Sequence, residues 1–367
     1  MAPDLLSQRA LNRSLLARQG LLARWDTAPL EAIERLVGLQ AQVPENPYVA
    51  LWSRLQDFRP EQLSTLLAER KAVRAGLLRG TIHLVSARDC LMLQPLVAPV
   101  FAKAYVSPFG KGLAGVDPRD VAAAGRELVA ERPRTRAQLG ALLAERWPEA
   151  DPASLSYAVT HHVPLVQVTP RGLWGATSQA TWAATEAWLG AALHPDPSVD
   201  ELVLRYLAAF GPATAADART WSRLTGLQPV LERLRPRLRA FRDERGRELL
   251  DVPDAPFPDP ETPAPPRFLP EYDNVLLSHD DRSRVLSGPA PPLPDGKWKG
   301  TLLLDGFRRA NWRIVLEADR ATLVVEPFAS QPGDPPSARE EIAAEGEGLL
   351  ALVAPGATRR SVEFSCR

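Results

Sequence analysis

Residues 253–266 read PDAPFPDPETPAPP, and seven of these fourteen residues are proline. Proline fixes φ and lacks an N–H, so this stretch can be neither a helix interior nor a central strand. It is expected to run as an extended connector. It divides the 367-residue chain into two parts that are patterned differently. Before it, apolar residues recur at helical spacing; after it, they alternate as in strands. A chain of this length is also expected to build several cores, roughly two to four modules.

In the first part, Leu5, Leu6, Leu11, Leu15, Leu16 and Leu22 predict an amphipathic helix over 5–23. Thr27 reads as the cap of a second helix with Pro29 in its first turn. Asn46-Pro47 opens a third, carrying Tyr48, Leu51, Trp52 and Leu55, and PEQLSTLLAE (60–69) is a fourth. LLRGTIHLVS (77–86) alternates around a glycine and reads as strand. Helices followed by strands around a turn is the order of a winged-helix module. The order recurs, with helices over 135–147 and 154–163 and then PLVQVTPRGLWGAT (164–177), two short strands around a Thr-Pro-Arg-Gly turn. It recurs again, with a helix over 200–210, a Thr214 cap, a helix over 217–224 ending at Gly226, and a hairpin over 237–250 turning at Arg245-Gly246-Arg247.

The fold class expected is therefore α+β, with three tandem winged-helix units followed by a C-terminal β-rich domain. The units span 1–125, 126–192 and 193–255, and the last domain 256–367. In that domain WKGTLLLDGFRRANWRIVLE, ATLVVEPF and RRSVEFSC predict strands, bounded in part by Lys297–Thr301 and Asp305–Asn311. SAREEIAAEGEGLLALVA predicts a helix.

Several chemistries lack support. No apolar run reaches membrane-spanning length. The N-terminus lacks the apolar core and cleavage site of a secretory signal, so the expected location is the cytoplasm. Cys90 and Cys366 suit free thiols and exclude a four-cysteine metal site. His83, His161, His162, His194 and His279 form no metal-binding pattern, and no phosphate-cradling glycine motif appears. No metal and no cofactor are expected. Basic and acidic residues balance at 44 each, yet only five of the cations are lysine. Arg223–Arg247 holds eight arginines against Glu232, Asp243 and Glu244, so a neutral total can hide a basic face.

GLQAQVPENPYVALW (38–52) sets Gln40 and Gln42 one alanine apart at an expected helix end. Pro44 and Pro47 push the residues before them out of the helical region. In extended chain, side chains at i and i+2 share a side. Two amide oxygens can then hold and orient one water, and the alternative is that they cap backbone groups. His83, in TIHLV, is either a site residue or a strand residue satisfied in the core. Asp273, Asn274 and His279, in YDNVLLSHDDRSR, belong either to a site or to a hydrogen-bonded domain junction. His161 and His162 read as ordinary packing and surface residues. Trp25, Trp52, Trp147, Trp182, Trp188 and Trp221 fall on apolar faces.

LQAQVPENPYVALWSRL (39–55), LRGTIHLVSARD (78–89) and LPEYDNVLLSHDDRSRV (269–285), supported by AFGPATAADARTWSRLTGL (209–227), resemble the AlkZ-like winged-helix DNA glycosylases. That family is associated with azinomycin resistance in antibiotic producers. The resemblance spans essentially the whole chain. It implies excision of N7-alkylguanine from double-stranded DNA, including bulky natural-product adducts and, in some members, interstrand crosslinks. The family's catalytic Gln-Φ-Gln motif falls on Gln40-Ala41-Gln42, where Ala41 is smaller than the usual middle residue. The charged base leaves as a neutral one, so no general acid is needed, and the transition state resembles an oxocarbenium ion. Holding the water at C1′ can lower the barrier by several kcal/mol, on the order of 7 or more at best. No lysine lies near the motif, so no Schiff-base lyase step is expected.

Candidate DNA contacts are Lys103, Lys111, Arg171, Arg245, Arg247, Arg282, Arg284, Arg308 and Arg309. A monomer is expected. Two other readings remain open at this point, a non-catalytic winged-helix transcriptional regulator and a protein that sequesters the toxic compound.

Overall fold

A computed structural model describes residues 4–286, 300–328 and 336–365. Cys366 and the Lys297–Lys299 edge of the expected C-terminal strand lie outside the described residues. The architecture mixes helices with three sheets.

The first sheet joins the chain's start to a distant hairpin. Asp4–Leu6 runs parallel to Arg239–Asp243, with Asp4 opposite Phe241, and Arg239–Asp243 pairs antiparallel with Glu248–Asp251. The helix expected from residue 5 therefore begins only at Gln8. Ser7 caps it by accepting the Ala10 N–H, and the residues before the cap are free to pair as strand. The hairpin turns at Gly246, whose φ of +75° suits glycine, as the Arg245-Gly246-Arg247 reading expected.

The second sheet carries the glutamine motif. Its strands run in the order Leu39–Gln40, Ile82–Ser86, Ala72–Gly76, Leu165–Gln167, Thr181–Ala184, Arg134–Thr135. The stretch 77–86 is not one strand. Leu78–Gly80 forms a tight turn with Arg79 at φ +57° and Gly80 at φ +71°, and the flanking segments pair as a hairpin. A second hairpin, Leu165–Gln167 with Thr181–Ala184, adds to the first through Arg74–Gln167 and Ala75–Val166. Its second strand starts later than expected, at Thr181, because 168–180 forms a long loop.

Helix Ala87–Phe109 lies beside this sheet and was not expected, since Pro95 and Pro99 sit inside it. Its Ser86 cap accepts the Asp89 N–H. Together with Pro118–Glu131, Arg136–Arg146 and Pro152–His162 it encloses a core of Tyr105, Val121, Leu139, Leu155 and Val159.

Beyond the proline-rich stretch a five-stranded sheet follows, with strands Arg267–Leu269, Gly300–Leu304, Phe307–Leu316, Arg320–Pro327 and Arg359–Phe364 in that order. Helix Pro336–Val353 covers it, packing Ile342, Leu349 and Leu350 against Phe268 and Leu323. The β-rich C-terminal part matches the alternation read from the sequence. Residues 253–266 form neither helix nor strand, as their prolines require. They are not a free tether, however. Arg13 donates to the Thr262 carbonyl and Ser14 to the Pro256 carbonyl, which lays the segment along the first helix.

Candidate active site

Gln40 and Gln42 do not stand at a helix end. Leu39–Gln40 is the edge strand of the six-stranded sheet, and the next helix starts only at Asn46. Two hydrogen bonds to the Ala41 backbone fix the exit of this strand. The Ala41 N–H donates to the Ile82 carbonyl at 2.8 Å, and Arg74 donates to the Ala41 carbonyl at 2.7 Å. Ala41 itself is fully buried among Leu39, Tyr48 and Leu84, so the small middle residue belongs to the core.

The two amides differ in exposure. Gln40 is 7% exposed, whereas Gln42 lies at the surface. Gln40 Oε1 accepts the Gln42 backbone N–H at a long 3.4 Å, and Gln42 Oε1 accepts the Ile82 N–H at 3.2 Å. Each carbonyl oxygen has a second lone pair, and neither side-chain NH₂ has a partner among the described residues. The pair thus caps backbone groups and retains capacity for a further ligand.

Gln40 is directly opposite His83 in the antiparallel pair, so their side chains occupy one face of the sheet. His83 is fully buried. Its Nδ1 donates to the Thr81 carbonyl at 3.1 Å and its Nε2 accepts from Arg79 at 3.2 Å. Burial, reinforced by the Arg79 charge, pushes its pKa down to about 3. The ring is therefore neutral at pH 7 and its acceptor nitrogen is occupied, a poor arrangement for a general base.

Asn274 ties this group to the C-terminal part of the chain. It accepts from Arg79 at 2.7 Å through Oδ1 and donates to the Gly38 carbonyl at 3.1 Å through Nδ2. Asp273 instead binds Arg54 through both oxygens, at 2.8 and 2.9 Å, and both side chains are buried. Asn46 adds a bond to the Glu271 carbonyl at 2.8 Å. The segment Glu271–Asn274 thus clamps both ends of the glutamine loop.

His279 lies away from this cluster. Its Nε2 donates to the Phe210 carbonyl at 3.0 Å and its Nδ1 accepts from the Ser278 hydroxyl at 2.9 Å. Burial lowers its pKa to about 3. Of its two readings, the geometry is that of a hydrogen-bonded junction.

The candidate cations separate into groups. Lys103, Lys111 and Arg282 are exposed, and their side chains have no hydrogen bond or ion pair among the described residues. Arg245 and Arg247 both bind Asp281, at 2.9 and 2.6 Å, and Arg247 also binds Asp243. Arg171 is half-buried and donates to the Ser178 carbonyl. Arg308 donates to Asn311 and stacks on Phe328, and Arg309 is half-buried on the same strand. Arg284 is 4% exposed, enclosed near Asp217 and Tyr206, with its pKa lowered by burial. A phosphate contact from Arg284 is thus incompatible with its position.

Three residues of the site went unread in the sequence: Arg54, Arg74 and Arg79. Arg74 and Arg79 both have pKa values lowered to about 10 by burial. The only signal was local, since Arg74 and Arg79 flank the strand of His83. A cleft of about 420 Å³ opens beside the motif, with Gln42, Ile82, His161, His162 and Trp182 among its walls. His161 and His162 therefore line a cavity rather than plain surface. Among the described residues no cluster of His, Cys, Asp or Glu could hold a metal ion, and no helix is long and apolar enough to cross a membrane.

The whole architecture is shared with a solved structure, the DNA glycosylase AlkZ of Streptomyces sahachiroi, at a TM-score of 0.76. The superposition covers 98% of this chain and 100% of that one, at 21% sequence identity. No curated protein sequence matches the chain. The family model of the AlkZ-like DNA glycosylases matches residues 33–352, which include the glutamine motif, the His83 strand and the Asp273–Asn274 segment, so the chain belongs to the AlkZ-like DNA glycosylase family.

Proposed function

We propose that this DNA glycosylase hydrolyses the N-glycosidic bond of N7-alkylguanine in double-stranded DNA with a water held by Gln40 and Gln42. The observation that carries the reading is the placement of the pair. Two uncharged amides sit at the end of an edge strand, each with acceptor capacity left, in front of a neutral histidine. Such a site holds water without a strong base, which suits a leaving group that departs neutral. The water attacks C1′, the C1′–N9 bond breaks with its electrons going to the base, and the water's proton is lost to solvent. An abasic site remains.

The nearby carboxylates are poor candidates for stabilising the oxocarbenium ion. Glu45 is exposed and Asp273 is neutralised by Arg54. The negative field at C1′ then comes from the DNA's own phosphates. Bulky natural-product adducts, crosslinks among them, are the substrate class, and self-resistance to a DNA-alkylating antibiotic is the role. The chain acts as a monomer made of three winged-helix units and the β-rich domain, with Lys103, Lys111 and Arg282 against phosphate.

The test is a duplex with a single N7-methyl-2′-deoxyguanosine, incubated with the enzyme and analysed with and without alkali. Strand scission that requires alkali supports a monofunctional glycosylase. Scission without alkali, or an intact base, contradicts the reading.

A further inference from the structure

A buried polar atom without a partner costs about 1–3 kcal/mol, and native chains keep few of them. Here Gln94 Oε1, Gln167 Oε1, Trp182 Nε1 and His162 Nε2 all lack a hydrogen-bond partner among the described residues, and all four residues line the cleft beside Gln42. Their grouping is built by the fold. Gln167 and Trp182 are opposed across antiparallel strands, so their side chains share a face. Gln94 is anchored to the first of those strands, its Nε2 donating to the Leu165 carbonyl at 2.9 Å. Gln94, Gln167 and Trp182 are 5%, 9% and 8% exposed.

The rest of the wall is aromatic. Phe109 and Tyr157 stack with ring centroids 3.9 Å apart. The volume of about 420 Å³ falls in the range of roughly 300–1,000 Å³ usual for small-molecule pockets. Among the described residues no Asp or Glu lines the cleft, whereas Arg136 does. A cationic base would gain nothing there, whereas a neutral aromatic group would stack on the rings, and its hydroxyl or carbonyl functions would meet the polar side chains of the wall.

Resting on the N7-alkylguanine reading, we propose that this cleft is a specificity pocket for a neutral, polar-substituted aromatic group carried on the alkylated N7. Gln42 is one of the residues that line it, so the pocket adjoins the glutamine pair. The pocket recognises the appendage, and the glutamines act on the sugar.

Two measurements test this, with wild type beside Ala98→Trp. Ala98 lies at the exposed edge of the cleft, so the larger ring fills the cavity without displacing core, and thermal melting checks the fold. First, 1-phenyl-1,2-ethanediol is titrated while the Trp182 indole and the Gln94 and Gln167 side-chain amides are followed by NMR. Second, single-turnover excision of N7-(2-hydroxy-2-phenylethyl)guanine is compared with that of N7-methylguanine at subsaturating enzyme.

The proposal expects saturable shifts that Ala98→Trp abolishes. It also expects a wild-type preference of at least tenfold for the phenyl adduct, falling toward one in the variant. Methyl excision with neither shifts nor preference overturns the pocket and leaves the N7 reading standing. Shifts without preference overturn its role in specificity. Shifts with no excision of either adduct overturn the N7 reading and keep the pocket as an aromatic site; neither shifts nor excision overturns both.

Discussion

Gln40 and His83 are directly opposed residues of two antiparallel strands, and the histidine is held neutral by burial and by a hydrogen bond from Arg79. On the proposed mechanism the water is held by uncharged amides, and the histidine behind Gln40 stays neutral near pH 7. The excision rate is therefore expected to stay flat between about pH 6 and 8. A pH–rate profile with a sigmoidal limb near 6.5 would assign base chemistry to a histidine and contradict this account.

The same burial makes stability depend on pH. His83 and His279 have folded pKa values lowered to about 3 from 6.5, so the unfolded chain binds more protons as the pH falls below 6.5. Their contribution is full above pH 6.5 and is lost progressively down to about 3. Linkage gives about 2 kcal/mol per histidine lost by pH 5. Urea titrations at pH 7.5 and 5 should show the loss, and His279→Gln should reduce its size.

Breaking the buried Arg54–Asp273 pair leaves a guanidinium unpaired in the interior. Asp273→Ala is expected to destabilise the fold by about 3–5 kcal/mol. Equilibrium unfolding measures this; a change under 1 kcal/mol would show that Arg54 finds another partner.

Asn274 is bonded to residues around the glutamine pair and not to the pair itself. It binds the Gly38 carbonyl, two residues before Gln40, and fixes Arg79 against His83. Asn274→Ala should lower the single-turnover rate about tenfold, as misplacement of a positioned group does, and leave DNA affinity unchanged. Equal losses in rate and affinity would point to a disrupted binding surface instead.

Lys103→Ala, Lys111→Ala and Arg282→Ala should each weaken DNA binding uniformly across sequences and reduce the salt slope by about one. Arg245→Ala and Arg247→Ala should do less, since both arginines are engaged by Asp281. Affinity measured over a salt series separates the two sets.

Much of the C-terminal part was legible because its strands alternate cleanly around Asp305-Gly306 and end in a long helix. The proline stretch is irregular, as its residues require, and the five-stranded sheet follows it. The N-terminal strand was hidden, because Leu5 and Leu6 fit a helical stripe and their partner, Arg239–Asp243, lies far along the chain. Pro95 and Pro99 masked the longest helix described, since interior prolines ordinarily end one. At the site, the motif and its companion segments could be read from residue order, but the buried arginines could not. Arg54, Arg74 and Arg79 look like any surface arginine until the fold encloses them. The family assignment also decides among the three readings, in favour of a glycosylase over a regulator or a sequestering protein.

The central claim is that Gln40 and Gln42 together hold the attacking water. Its most direct test is single-turnover excision of N7-methylguanine by wild type and by the Gln40→Ala, Gln42→Ala double variant, with folding checked by thermal melting. The account predicts ready excision by wild type and a loss of at least a hundredfold in a variant that still folds and binds DNA. Undiminished excision in that variant would contradict it.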